Sequence, residues 1–301
     1  MWLRRGDVII PTKADKALAS ASGGFSFFGG REDKYMNAAD LYVEAANAFR
    51  MQGLMREAGL AFEKAATIQG QNLKEPDDAA NTMVECFKVY RKENPEDAVR
   101  CIEVAINQYC KKGNFRRAAQ HKENAGEVIE NELGDRKRAL EFYELAAGWY
   151  ESDNAAAQVL SIAVKLLANK LLLKVADLAA LEADYYKAIQ HYEKIAENAV
   201  NNNLLRYSVK DYFLKAGICH LATEDMVATN RAFEKYREMD PAFASTREHQ
   251  LLVDLAGSLE SQDSGDFEDK LFQFDQMSKL DKWKTEILLR IKNNIKEEDF
   301  A

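Results

Sequence analysis

Very little in this chain interrupts a helix. Its 301 residues include only four prolines, at 11, 76, 95 and 241, so long stretches escape the residue that removes a backbone donor and clashes with the preceding turn. Cysteine is scarce and unpatterned. Cys86, Cys101, Cys110 and Cys219 form no CxxC pair and no dense framework, and they fall at apolar positions of a helical pattern. That predicts reduced, mostly buried thiols of a cytosolic protein. Long hydrophobic runs are missing too. The most apolar stretch, Val159 to Leu173, is broken by Lys165, Asn169 and Lys170, short of the roughly 20 residues of a membrane span. Residues 1–11 hold no more than three consecutive apolar side chains, too few for a signal-peptide core.

A basic excess is also absent. Against 41 lysines and arginines stand 49 acidic residues, a formal charge of −8 that argues against a nucleic-acid partner. The four histidines, at 121, 191, 220 and 249, include no helical i, i+4 pair. There is no glycine-rich phosphate loop, no HExxH and no GxSxG, so no cofactor, no metal and no catalysis are expected. His220, next to Cys219 on an apolar helix, reads as a core histidine.

What is present is a beat of about forty residues. One series of small residues runs Ala58, Ala98, Ala139, Ala188, Ala228, at intervals of 40, 41, 49 and 40. A second, half a period away, runs Ala39, Ala80, Ala119, Ala168, Val209, at intervals of 41, 39, 49 and 41. Two interleaved series of one period imply two helices per repeat, each with a small residue where backbones cross closely. Such pairs cannot bury their apolar faces alone and stack on their neighbours.

The local patterns agree. Ala39, Tyr42, Ala46 and Phe49 lie on one helical face, as do Ala58, Ala61, Phe62 and Ala65, and Ala80, Met83, Val84 and Phe87. Gly53, Glu75-Pro76-Asp77, Asn94-Pro95, Gly113-Asn114 and Gly134-Asp135 punctuate the segments as turns or caps. Acidic residues after Pro76 and Pro95 suit the positive end of the helix macrodipole. The expected fold is all-α, a TPR-like right-handed α-solenoid of five to seven helical hairpins over residues 34–244, after an N-terminal segment over 1–33. Both series lengthen by nine in the same place, so an insertion is expected within 139–168, near Ala156 to Leu166. Residues 245–301 break the rhythm and read as a helical cap. They are strongly acidic and close on an amphipathic helix whose apolar side is Trp283, Ile287, Leu288, Ile291 and Ile295.

Two further features carry functional content. In Ser22-Gly-Gly-Phe25-Ser-Phe27-Phe28-Gly-Gly30, glycines flank three phenylalanines, which makes a flexible loop with rings that are costly to leave in water. The loop either folds back on the first hairpin or dips into a membrane interface, where one loop gives only weak, reversible attachment. Charge is also segregated. Lys111, Lys112, Arg116, Arg117 and Lys122 crowd adjacent helices, Arg136, Lys137 and Arg138 follow, and Lys170, Lys174 and Lys210 recur at similar phases of later repeats. A basic face with an acidic tail suits one acidic and one basic partner.

These segments carry a resemblance. Lys-Ala-Asp-Lys-Ala-Leu-Ala-Ser-Ala-Ser-Gly-Gly-Phe-Ser-Phe-Phe-Gly-Gly over 13–30 resembles the N-terminal region of the soluble NSF attachment proteins in their fungal form. So do Gly113-Asn-Phe-Arg-Arg-Ala-Ala119, Leu204-Leu-Arg-Tyr-Ser-Val-Lys-Asp-Tyr-Phe213 and the stretch from Leu280 to Lys292. The resemblance runs from about residue 13 to the end, with several uncommon motifs in one order.

The resemblance implies an adaptor, not an enzyme. It implies a protein that coats a four-helix SNARE bundle, recruits the hexameric ATPase NSF and stimulates it, so that the bundle is pulled apart during vesicle transport. It places SNARE-facing cations at Arg116, Arg117, Lys170, Lys174, Lys210 and Arg247, with Lys122 near Gln120, where the family has a lysine. NSF-facing residues fall on Glu224, Asp225, Glu260 and Phe300. Phe25, Phe27 and Phe28 match a membrane-touching loop. Residence is expected in the cytoplasm, peripherally on ER, Golgi, vacuole and vesicle membranes. Residues 1–12 do not resemble the family's first helix. Two other readings compete: a solenoid scaffold that clamps peptide tails of client proteins, and a helical-repeat subunit of a prenyltransferase.

Overall fold

The computed structural model describes the backbone of residues 3–5, 8–10, 12–22, 30–156, 162–202 and 205–295, and the side chains of 13–22, 30–152, 165–202 and 205–295. The expectations for Phe25, Phe27, Phe28 and Phe300 lie outside these residues. The chain divides into two compact units, 1–168 and 169–301.

In the first unit, the β-branched run Val8–Ile10 pairs antiparallel with Leu3–Arg5, a short strand pair that the helical reading did not foresee. Helices follow: α1 (Thr12–Ser22), α2 (Gly30–Met51), α3 (Met55–Thr67), α4 (Pro76–Tyr90), α5 (Pro95–Lys111), α6 (Phe115–Asn131) and α7 (Arg136–Ala156). Prolines begin α4 and α5, where a missing N–H costs nothing, and acids fill both first turns. Gly53, Gly113 and Gly134, all at positive φ, end the preceding helices. Helix therefore starts earlier than the rhythm suggested, at Thr12, because Ala14 and Ala21 of α1 bury against Tyr35, Ala39 and Tyr42 of α2.

Each helix packs on the next in sequence, and ion pairs reach the next but one. Arg50 of α2 meets Glu85 of α4 at 3.4 Å, and Arg91 of α4 meets Glu127 of α6 at 3.5 Å. Arg100 of α5 grips Glu63 of α3 at 2.8 Å, and Arg138 of α7 reaches Glu96 of α5 at 2.9 Å. Even helices thus neighbour even ones and odd neighbour odd, the two layers of a TPR-like stack of hairpins. Of the ten small residues of the forty-residue beat, all but Ala228 are buried.

The second unit takes in most of α8 (Ile162–Leu181), then α9 (Tyr185–Val200), α10 (Val209–Ala222), α11 (Met226–Met239), α12 (Arg247–Glu260), α13 (Ser264–Met277) and α14 (Lys282–Asn293). Aspartates cap α9, α11, α13 and α14, as Asp184, Asp225, Asp263 and Asp281 each accept the N–H three residues on. The region after 245 is woven into the repeats before it. Trp283 of α14 donates its indole N–H to the Asp177 carbonyl of α8 at 2.9 Å, and Lys284, almost buried, pairs with Asp211 of α10 at 2.8 Å. Of the apolar side read from sequence, Trp283, Ile287, Leu288 and Ile291 are buried, while Ile295 lies past the end of α14 and is half-buried.

The nine-residue lengthening enters largely as helix. α7 and α8 have 21 and 20 residues against 17 each for α5 and α6. Residues 157–161, between them, lie outside the described backbone.

One further regularity fixes the stack. Tyr42, Tyr90, Tyr143, Tyr192 and Tyr236 are each at most 2% exposed. Each donates its hydroxyl to a carboxylate on an earlier helix: Asp15, Glu63, Glu130, Asp177 and Glu193 in turn. Burial first, then these carboxylates, pushes all five phenols well above their ordinary pKa. The hydroxyl therefore stays a donor, and each buried ring anchors one helix to another.

Candidate functional site

The cations expected to face a SNARE bundle all stand on even-numbered helices, whereas Lys111 closes α5 and Arg136, Lys137 and Arg138 open α7. In the first unit, Arg116 and Arg117 occupy the opening turn of α6, which contains no acid. Cations there oppose the macrodipole, at a cost of about 0.3–1 kcal/mol each. Arg116 is exposed, while the Arg117 guanidinium lies 4.3 Å above the Tyr109 ring and donates to Asn81 at 3.0 Å. His121 stacks on the same tyrosine, and burial, followed by the nearby Arg117 and Lys88 charges, lowers its pKa to about 4. It is neutral at neutral pH.

Lys122 stands apart. It is only 7% exposed, with its ammonium 3.2 Å from Glu103 and 3.5 Å above the Phe142 ring. Its charge braces α5, α6 and α7 rather than facing outward.

In the second unit, Lys170 and Lys174 lie one turn apart on α8, Lys210 opens α10 and Arg247 opens α12. Lys210 donates to Glu248 of α12 at 2.8 Å, and this bond raises its pKa, so the ammonium is firmly charged. Arg247 is exposed beside it in sequence.

The acids gather at the other ends of α10 and α12. Glu224 and Asp225 form the turn after α10, and Glu260 is the last residue of α12. Asp225 caps α11 by accepting from Ala228 N at 2.9 Å. Glu224 holds a left-handed backbone, φ 61°, the conformation that glycine takes at the corresponding turn at Gly113. Asn294, just past α14, donates to Glu224 at 2.9 Å, and Asn230 of α11 donates to Glu260 at 3.0 Å. Between these groups is a cavity of about 260 Å³, its apolar lining including Leu221, Met226, Leu259, Ile291 and Ile295. The described chain therefore ends in the wall of this cavity, a few residues before Phe300.

α10 and α12 each have 14 residues, about 21 Å of helix. Their opening turns touch through Lys210 and Glu248, and their far ends flank one cavity, so they run in the same direction. Lys210 and Arg247 lie at one end of this pair, beside Asp211 and Glu248, and Glu224, Asp225 and Glu260 at the other. Sequence reading named these residues one by one. It did not show the shared direction, or the two asparagines that hold the acids, since those contacts span 30 and 70 residues.

Among the described residues, no helix is long and apolar enough to cross a membrane. Residues 8–296 match the family model for the soluble NSF attachment protein, SNAP. The chain is 56% identical over 291 residues to the probable vesicular-fusion protein sec17 homolog of Neurospora crassa, covering 97% of each. It is 38% identical over 289 residues to the alpha-soluble NSF attachment protein of Saccharomyces cerevisiae, covering 95% of this chain and 96% of that one. Against the human alpha-soluble NSF attachment protein it is 37% identical over 289 residues, covering 95% and 94%. These are attachment and fusion proteins rather than enzymes. The chain belongs to the soluble NSF attachment protein family.

Proposed function

We propose that the protein is an adaptor that grips an assembled SNARE bundle through its even-helix cations and presents the acidic end of α10 and α12 to an NSF-type ATPase, stimulating disassembly in vesicle transport. One observation carries the reading. Lys210 and Arg247 begin α10 and α12, and Glu224, Asp225 and Glu260 end them. Lys210, Arg247, Glu224 and Glu260 each oppose the dipole of the helix they flank, an arrangement that stability alone disfavours, whereas Asp225 is set by its cap of α11. Two charged partners of opposite sign account for it.

Single exposed ion pairs contribute about 0–1 kcal/mol, so affinity for an acidic bundle must come from several contacts acting together. Arg116, Arg117, Lys170, Lys174, Lys210 and Arg247 supply them, with Lys122 an internal brace. At the acidic end the cavity beside Glu224, with Ile295 in its lining, adds an apolar seat, and Phe300 is the apolar side chain we assign to the contact with the ATPase. Phe25, Phe27 and Phe28 give a weak membrane contact, useful when several copies act on one bundle.

Reversing two exposed charges tests the basic half. Lys170→Glu with Arg247→Glu should abolish capture by an immobilised SNARE bundle at physiological salt while leaving helicity unchanged. Undiminished capture would remove these residues from the interface.

A further inference from the structure

The two most deeply placed thiols of the first unit face each other. Cys86 of α4 and Cys101 of α5 are both fully buried, with sulfurs 3.1 Å apart. The Glu63 carboxylate of α3 joins them, and the three donor atoms lie within 4.8 Å of one another. The Gly59 carbonyl is 3.5 Å from the Cys86 sulfur. Three helices thus bring two soft donors and one hard one to a single point.

The surroundings are those of a second ligand shell. Arg100 holds both Glu63 oxygens, at 2.8 and 2.9 Å, and the Tyr90 hydroxyl donates to the same carboxylate at 3.0 Å. Such outer contacts fix a ligand's orientation. Glu63 is 22% exposed and Arg100 52%, so the carboxylate stands at the solvent edge with the thiols beneath it, which gives an ion a way in.

We propose that Glu63, Cys86 and Cys101 form a binding site for a thiophilic divalent ion of the zinc type. At tetrahedral geometry with bonds of about 2.3 Å, two thiolates sit about 3.8 Å apart, so the sulfurs part by a fraction of an ångström and the carboxylate draws in. Charge also balances. Two thiolates and a carboxylate leave a dication with one surplus negative charge, and the Arg100 guanidinium neutralises it. Thiols bind the ion only as thiolates, so uptake releases protons and strengthens as pH rises. Bound, the ion staples α3 to α4 and α5.

The test uses the full chain, reduced and stripped of metal, titrated with Cd²⁺ while the ultraviolet thiolate-to-metal band is followed. The band should saturate at a single equivalent, be competed away by Zn²⁺, vanish in Cys86→Ser, and persist in Cys110→Ser. Glu63→Gln should weaken binding by about tenfold or more. No band in the wild type, or one that needs Cys110 instead, overturns the site. So does oxidation of the pair, seen as the loss of two hydrogen masses under mild peroxide, without any metal uptake. If Cys86→Ser does not fold, Glu63→Gln decides, and wild-type affinity in that variant also overturns it.

Discussion

Replacing Glu224 separates what a turn needs from what a partner needs. Its φ of 61° costs a residue with a side chain about 1–2 kcal/mol. Glycine would recover that, less about 0.5–1 kcal/mol for the extra freedom of the unfolded chain. It would also lose the exposed hydrogen bond from Asn294, worth about 0.5–1 kcal/mol. Glu224→Gly should therefore leave stability within about 1 kcal/mol of wild type, a shift in Tm of no more than about 4 °C for a chain of this size. Glu224→Gln keeps the backbone strain and the acceptor for Asn294 and removes only the charge. Both variants should raise the concentration needed for half-maximal stimulation of an NSF-type ATPase by about two- to fivefold, the reach of one exposed charge. The gap should close as salt is added, because such contacts are screened within about 10 Å at 0.1 M. Wild-type stimulation by the glutamine variant at low salt would refute a charge-based contact. A defect in the glycine variant alone would assign the role to the shape of the turn.

Three other outcomes follow from particular residues. At Gly59 an added Cβ would stand 2.2 Å from the buried Tyr90 ring, so Gly59→Ala should destabilise by about 1–3 kcal/mol despite its better helix propensity, whereas Gly257→Ala, with nothing within 4 Å, should stabilise by up to about 1; urea melts compare them. Burial, with the Arg117 and Lys88 charges, lowers His121 from its ordinary 6.5 to about 4, so the unfolded chain binds the proton more readily. Stability is then fully present above pH 6.5 and falls as pH drops toward 4, a loss that His121→Gln should reduce in pH-dependent melts. Phe27→Ser with Phe28→Ser should weaken SNARE disassembly on liposomes and leave it intact in detergent; equal loss in both settings would make the loop part of the packing.

The beat of small residues made the layered hairpins legible before any coordinates. Ala58, Ala98 and Ala139 are fully buried because close helix crossings exclude larger side chains, and that constraint repeats with the helices. The tyrosine anchors repeat too, but their carboxylate partners lie 13 to 43 residues away at no fixed spacing, so nothing local marks them. Lys122 shows the opposite limit. A lysine among lysines and arginines reads as surface charge, and only Glu103 and Phe142, brought in by neighbouring helices, draw it inside. Glu224 had a faint signal. A residue before an Asx cap, as Gly113 is before Asn114, is a place for a left-handed backbone, but Ala183 before Asp184 and Gln262 before Asp263 hold the same conformation without glycine, so residue type alone does not mark it. The apolar face of α14 was plain from Trp283 to Ile291, yet its docking on α8 and α10 was not, because amphipathicity says that a face is buried and not against what.

The adaptor account rests on two separable charge sets, and one sedimentation assay reads both. SNARE bundle on beads, NSF-type ATPase in solution and the full chain are mixed, and the pellet is assayed for each protein. Lys170→Glu with Arg247→Glu should remove both the chain and the ATPase from the pellet. Glu224→Gln with Glu260→Gln should leave the chain on the bundle and lose the ATPase. If the acidic pair also releases the chain, or the basic pair still brings the ATPase down, the two ends do not divide the work and the account is contradicted.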